Sequence, residues 1–289
     1  MDWVTLAVIA ALAQVLRNAA MKSIGHKLDE YINVLGRFAF LLPFAAVAVW
    51  MRGVPELQPG FWWFCVLFGF LQTSATLALS KALLYGSMGV VTSLWKLATI
   101  WLVVLAFITL GETPSAWGLV GILVTLAGVY GLNVSRARIG WFEPVRAIFT
   151  DKGMRYTVLA SLLYAPSVIT FKQAAVLSDA TFGTFATYAA ASLVVLPLTL
   201  WKSAEHFKHA PRLWKGFVSL GLFAFITSLA QAEAYRLTLT SYVESVKQIE
   251  ILLAIGIGYV FFKERDRVRE TMLGGVVILA GIVLLILAG

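Results

Sequence analysis

The chain has 289 residues, of which 60% are hydrophobic and 13% charged, with a formal net charge of +8 and a mean hydropathy of +0.84. A soluble domain of this size could not hide so much apolar surface. In a membrane chain the basic excess reports orientation rather than a nucleic-acid partner. The single cysteine, Cys65, excludes a disulfide within the chain. No metal-ligand spacing occurs, and His26, His206 and His209 fall in polar connections, so no metal or other cofactor is expected.

Ten apolar stretches follow in chain order, at about 3–22, 32–51, 62–82, 88–110, 114–133, 157–177, 181–201, 213–236, 240–262 and 268–288. Each is long enough, as a helix, to cross a hydrocarbon core of about 30 Å. Helices are the expected spanning form, because lipid offers no partner to an unpaired peptide group. The alternation that marks a membrane barrel is absent. An acidic Asp2, not a basic segment, precedes the first stretch, which reads as a true span rather than a removable signal. Most connections are short. The longest, 135–156, is rich in Arg and Lys and separates five spans in 1–134 from five in 157–289.

The two halves repeat one another. Leu110-Gly111-Glu112 runs into a stretch with Gly118, Gly121 and Leu126-Ala127-Gly128. Phe262-Lys263-Glu264 runs into another with Gly274, Gly275 and Leu279-Ala280-Gly281. A weaker match joins Arg17-Asn18-Ala19-Ala20 to Lys172-Gln173-Ala174-Ala175. With an odd number of spans per unit, the second unit enters the membrane in the opposite sense. The predicted fold is therefore all-α, ten transmembrane helices in two inverted five-helix repeats, the architecture of a secondary transporter with its site between the repeats. Basic residues such as Lys22, Arg136, Arg155, Lys202 and Arg265 gather on one side, against Arg52 and Arg236 on the other. Basic loops stay cytoplasmic, which predicts both termini on the outer side.

Ionisable groups in the hydrocarbon layer are expensive and point to a cavity or a partner. In the fourth span Thr92, Lys96 and Thr99 share one narrow face, and Trp95 lies too deep to be an interface anchor. Their repeat equivalents in the ninth span are Glu244, Gln248 and Ile251, with Lys247 matching Trp95 and Glu250 widening the polar face. Lys96 or Lys247 would attract a carboxylate or phosphate, and Glu244 or Glu250 would hold an amine or carry a proton. The alternative is that Glu244, Lys247 and Glu250 neutralise one another at three-residue spacing. Gln72, Thr73 and Thr76 in the third span, and Thr227, Ser228, Gln231 and Tyr235 in the eighth, form further polar stripes. The glutamines are site candidates, and the hydroxyls fit interhelical hydrogen bonding. Asn18 in the first span and Tyr164 in the sixth complete the candidate set, with Pro166 a source of bending. Glu233 and Arg236 read as a local ion pair. Glu112 and Glu264 are expected to cap the fifth and tenth helices that they begin. The glycine stripes of those helices allow close approach, either between repeats or between the subunits of a homodimer.

The repeated segments resemble the drug/metabolite transporter superfamily, and its ten-helix EamA branch in particular, at Gly111-Glu112, Gly118, Gly121 and Leu126-Ala127-Gly128, and at Lys263-Glu264, Gly274, Gly275 and Leu279-Ala280-Gly281. The resemblance implies a helix bundle with a central cavity lined by both repeats. It leaves the substrate open among amino acids, amines, sugars, nucleotide sugars and drugs. Many bacterial relatives export their substrates across the inner membrane.

The leading expectation is a non-enzymatic carrier in a bacterial inner membrane. It would move a small polar or amphipathic metabolite, with an amino acid or related zwitterion favoured by the mixture of lysines and acids, by alternating access and in the export direction. Its partners would be that small molecule and the lipid bilayer. A carrier of phosphorylated metabolites or nucleotide sugars is the alternative within the fold. A membrane-embedded lipid-modifying enzyme is the alternative outside it, but the loops contain no nucleophile–base set or paired acids that such chemistry needs.

Overall fold

The computed structural model describes residues 1–24, 29–85, 91, 94–95, 97–137, 140–142, 146, 148, 150–205, 213–253 and 268–288. Among them the regular structure is helical: α1 Trp3–Ile24, α2 Glu30–Ala39, α3 Leu42–Arg52, α4 Phe61–Tyr85, α5 Leu97–Leu110, α6 Ala116–Ala137, α7 Lys152–Val176, α8 Ala180–Lys202, α9 Trp214–Leu237, α10 Thr240–Val246 and α11 Val268–Ala288. Among the described residues, six spans are long and apolar enough to cross a membrane, α2 and α3 together making one of them, and three shorter apolar helices lie at Ala98–Leu110, Ala116–Leu132 and Gly274–Ala288.

Local chemistry sets the helix starts. Asp2, Asp29, Asp151 and Asp179 each accept a hydrogen bond from the backbone N–H three residues on, at 2.6, 3.1, 3.1 and 2.7 Å, satisfying a donor that the helix itself leaves free. Asp151 is why α7 begins inside the stretch read from sequence as a loop through residue 156. The second span, expected to be continuous, divides into α2 and α3. Pro43 stands in the first turn of α3, where its ring excludes a helical bond to the carbonyl of Ala39.

The chain forms two compact units. One contains 1–77 and 166–237, the other 78–165 and 238–289. Neither coincides with a sequence half: each takes helices from both. The chain changes unit inside two helices, between Leu77 and Ala78 in α4 and between Ala165 and Pro166 in α7.

In the first unit α1 packs on α9, and α8 on α2 and α3. The α8 contacts run Ser203 to Asp29, Thr199 to Tyr31, Tyr188 to Phe38 and Thr181 to Arg52. Rising numbers on one side meet falling numbers on the other, so the second and seventh spans are antiparallel. In the second unit α11 packs on α6. A Cβ on Gly121 would meet the Gly281 carbonyl at 3.0 Å, and one on Gly128 would meet the Gly274 carbonyl at 3.1 Å. The fifth and tenth spans are therefore antiparallel as well. Their glycine stripes, left open in the sequence between two uses, are joined to each other inside one chain. The backbones approach closely there because each glycine leaves space for the partner helix, its backbone and side chains such as Thr125 and Leu132.

Candidate functional site

Each unit has a buried polar centre built from both sequence halves. That of the second unit is organised around α10. Gly111 ends α5 with φ 66, a left-handed conformation that costs glycine little. The turn returns the Glu112 N–H to the Ala106 carbonyl at 3.2 Å, six residues back along the chain. It also directs the Glu112 carboxylate to the start of α10, where Oε2 accepts the Thr240 N–H at 2.9 Å and Oε1 accepts the Thr240 hydroxyl. Glu112 thus caps α10 in the opposite half, not α6 as the sequence suggested. The cap of α6 is Ser115, whose Oγ accepts the Gly118 N–H at 3.1 Å. The Ser115 N–H in turn donates to the Tyr242 hydroxyl at 3.1 Å. Gly118 leaves room for that ring, since a Cβ there would overlap the Tyr242 hydroxyl. The Gly-Glu motif and its serine together clamp the first turn of α10. Glu264, its repeat equivalent, lies outside the described residues.

The ninth span was expected to run unbroken. It is interrupted at Lys247-Gln248. The N–H groups of Gln248, Glu250 and Ile251 donate to the carbonyls of Ser245, Lys247 and Gln248, at 3.1, 3.0 and 3.1 Å. These are i to i−3 bonds, tighter than α geometry. The Glu244 carbonyl, which the Gln248 N–H would serve in an α-helix, accepts instead from the Gln248 side-chain Nε2 at 3.1 Å. At this break Lys247 Nζ meets Glu244 Oε1 at 2.7 Å, with side chains only 4% and 8% exposed. Of the three charges at this spacing, Glu244 and Lys247 therefore form a buried ion pair, while Glu250 is partly exposed. Trp95 packs against Tyr164, ring centroids 5.1 Å apart and tilted by 53°, and Thr99 is buried. Thr92 and Lys96 lie outside the described residues.

The centre of the first unit is built on aromatic rings. Phe68, Phe171 and Tyr188 surround one another with centroid distances of 5.4, 5.4 and 6.1 Å. Phe38 and Tyr235 extend the group at 5.7 and 6.3 Å. The Tyr188 hydroxyl accepts from Ser228 at 2.9 Å, and the Tyr235 hydroxyl accepts from Gln231 Nε2. Gln72 Oε1 accepts from Ser167 at 2.8 Å. Thr73 donates to the Ala191 carbonyl at 3.4 Å, beside Gly69, where a Cβ would stand 3.0 Å from the Ala190 backbone. The Glu233–Arg236 pair (3.6 Å) is present, and Arg52 joins it at 3.7 Å.

The candidate residues therefore separate. Gln72, Gln231 and Tyr235 belong to the first unit; Trp95, Thr99, Tyr164, Glu244, Lys247, Gln248 and Glu250 belong to the second. Asn18 is exposed on α1, and its neighbour Arg17 is the buried one. The sequence reading passed over Tyr188, which the aromatic group is built around. Its signal is a hydroxyl-bearing ring at one-turn spacing from Thr184 and Ser192, inside the small-residue stretch Ala186–Ser192.

A model of the EamA-like transporter family matches residues 1–134 and 151–287. The chain belongs to the EamA-like transporter family. EamA proteins are part of the drug/metabolite transporter superfamily and are transporters, not enzymes. With several long apolar helices besides, this EamA chain is an integral, multi-pass membrane protein. A solved structure described only as "Crystal structure of protein" superposes with a TM-score of 0.75 and 14% identity, over 99% of this chain and 98% of that one. At that identity the likeness carries the fold alone. No curated protein matches the chain.

Proposed function

We propose that this EamA transporter carries a small zwitterionic metabolite, an amino acid or close relative, outward across a bacterial inner membrane by alternating access. The carrying observation is the Lys247–Glu244 pair at 2.7 Å, buried where the ninth span is interrupted. Separating a buried pair by supplying only one of its partners strands the other charge, at a cost of roughly 3–5 kcal/mol. A zwitterion brings one group of each sign. Its carboxylate can replace Glu244 at Lys247 while its ammonium replaces Lys247 at Glu244, and no net charge is left behind. A phosphorylated anion has no such balance. Interrupted helices with exchangeable charges are what carriers place at substrate sites.

Inverted repeats are part of the same reading. They are supported by the antiparallel course of the second and seventh spans and of the fifth and tenth, each a pair of repeat equivalents. The basic-loop bias supports outward termini, and Glu244 or Glu250 would carry a proton if transport is coupled to one. The test is counterflow of labelled L-amino acids in proteoliposomes, with and without a pH gradient. Saturable exchange that Lys247→Ala abolishes is the expected result. Flux that does not saturate, or exchange of anions but not amino acids, overturns the reading.

A further inference from the structure

On α10 the ion pair occupies only part of a wider polar face. At 100° per residue, Thr240, Glu244, Ser241 and Ser245 fall in that order around one contiguous arc of α10, Lys247 and Gln248 follow at the break, and Tyr242, Val243 and Val246 fill the remainder. The apolar side is the one turned to α6, since the Tyr242 ring lies against Gly118 and its hydroxyl meets Ser115. The polar arc faces the other way, and it is still buried: Ser241, Ser245 and Gln248 are 1%, 0% and 4% exposed.

Three oxygens on that arc, Ser241 Oγ, Ser245 Oγ and Gln248 Oε1, have no hydrogen-bond partner. Several buried hydroxyls in this chain bond the carbonyl four residues back in their own helix: Thr125 to Gly121 at 2.8 Å, Thr157 to Gly153 at 2.9 Å, Ser192 to Tyr188 at 2.8 Å; Thr184, near the start of α8, does not. That bond is the cheap local solution for a serine or threonine in a helix. Ser245 forgoes it, Ser241 stands in the first turn of α10 where its own helix offers no carbonyl four residues back, and Gln248 spends its amide N–H on the helix break and keeps its oxygen unengaged. Buried polar groups left without partners are costly and uncommon in native proteins. Three at i, i+4 and i+7, beside a charge pair, make a row of acceptors about 10 Å long.

We infer that this row is a second subsite, which receives the uncharged end of the substrate and selects zwitterions whose side chains donate hydrogen bonds, hydroxyl or amide, over apolar ones of the same shape. The inference rests on the zwitterion reading of Lys247 and Glu244. Gln248 Oε1 can only accept, so the ligand group facing it must be a donor; the serines accept or donate.

The experiment uses two near-isosteric pairs, L-threonine with L-valine and L-asparagine with L-leucine, as competitors of counterflow by the full-length protein in proteoliposomes. The donor-bearing member of each pair is expected to compete better by about tenfold or more, the effect of about one hydrogen bond. Ser241→Ala/Ser245→Ala, and each single variant, should narrow that ratio. Their thermal midpoints should be unchanged or higher than wild type, because no hydrogen bond within the protein is lost. Equal competition within both pairs overturns the subsite. So does a ratio that survives both substitutions, or a lowered midpoint with the ratio intact, which would make the serines structural. If all four amino acids exchange equally and Lys247→Ala abolishes them all, the zwitterion reading stands and this subsite falls. If none competes, both fall.

Discussion

The two compact units solve the same problem, a polar centre inside an apolar bundle, with different chemistry. Around Phe38, Phe68, Phe171, Tyr188 and Tyr235 the first pairs hydroxyls and amides with each other; a buried charge, Arg17, stands on α1. Its helices α8 and α9 run through this region without a break in regular structure. The second uses full charges, and there the helix gives way at the charged residue itself. A neutral group can be satisfied by one neighbour at helical spacing. A buried ammonium and carboxylate need more, and local unwinding provides extra backbone groups. The ligand exchange proposed above falls to the ion-paired centre, while the aromatic one joins helices from both halves.

The sharpest way to break this contrast is at the charges. Lys247→Met should destabilise the folded protein by roughly 3–5 kcal/mol, because Glu244 is left buried alone, whereas Lys247→Met/Glu244→Leu should recover most of that loss. Unfolding in detergent measures both; equal losses would mean that the pair is not coupled. Next comes the capping carboxylate. Glu112→Ala removes two hydrogen bonds to Thr240 and should cost about 1.5–3 kcal/mol, with faster amide exchange confined to the first turn of α10. Gly281→Leu should cost about 1–3 kcal/mol by overpacking, since a Cβ there would stand 2.5 Å from the Thr125 nitrogen, and its exchange signature should stay in the second unit.

In the first unit the expected effects are smaller. Tyr188→Phe deprives Ser228 of its acceptor but keeps the ring contacts, a loss of about 0.5–1.5 kcal/mol in the same unfolding assay. The smallest effect lies at the chain start, outside the membrane. The bond from the Thr5 N–H holds the Asp2 carboxyl below its ordinary value of 3.8. A carboxyl depressed by folding contributes stability that is full above its unfolded value and lost as pH falls through its folded one. Protection of the Thr5 amide should therefore persist at neutral pH and vanish only in acid below about pH 4, with no change in global stability.

The fold was largely legible because each span announces itself by apolar length, and because Gly111-Glu112 and the glycine stripes recur at matching places. Helix ends were less legible, since Asp151 and Pro43 act through single bonds that a hydropathy window averages away. The site was half legible. Charges in apolar spans drew attention to Glu244 and Lys247, and helical spacing to Gln248. Which acid pairs, and where the helix breaks, depend on three-dimensional partners. Glu112 shows this best. Its position beside a helix start suggested a local cap, but the turn at Gly111 aims it at a helix that begins far along the chain.

The way the units interleave the halves has a consequence for biogenesis. When the ribosome has finished the first five spans, α1 still lacks α9, α2 and α3 lack α8, and α6 lacks α11. The early segments must therefore wait, inserted but unassembled, until the late ones leave the translocon. A nascent chain stalled after the connecting loop would present unsealed glycine surfaces to the quality-control proteases of its membrane.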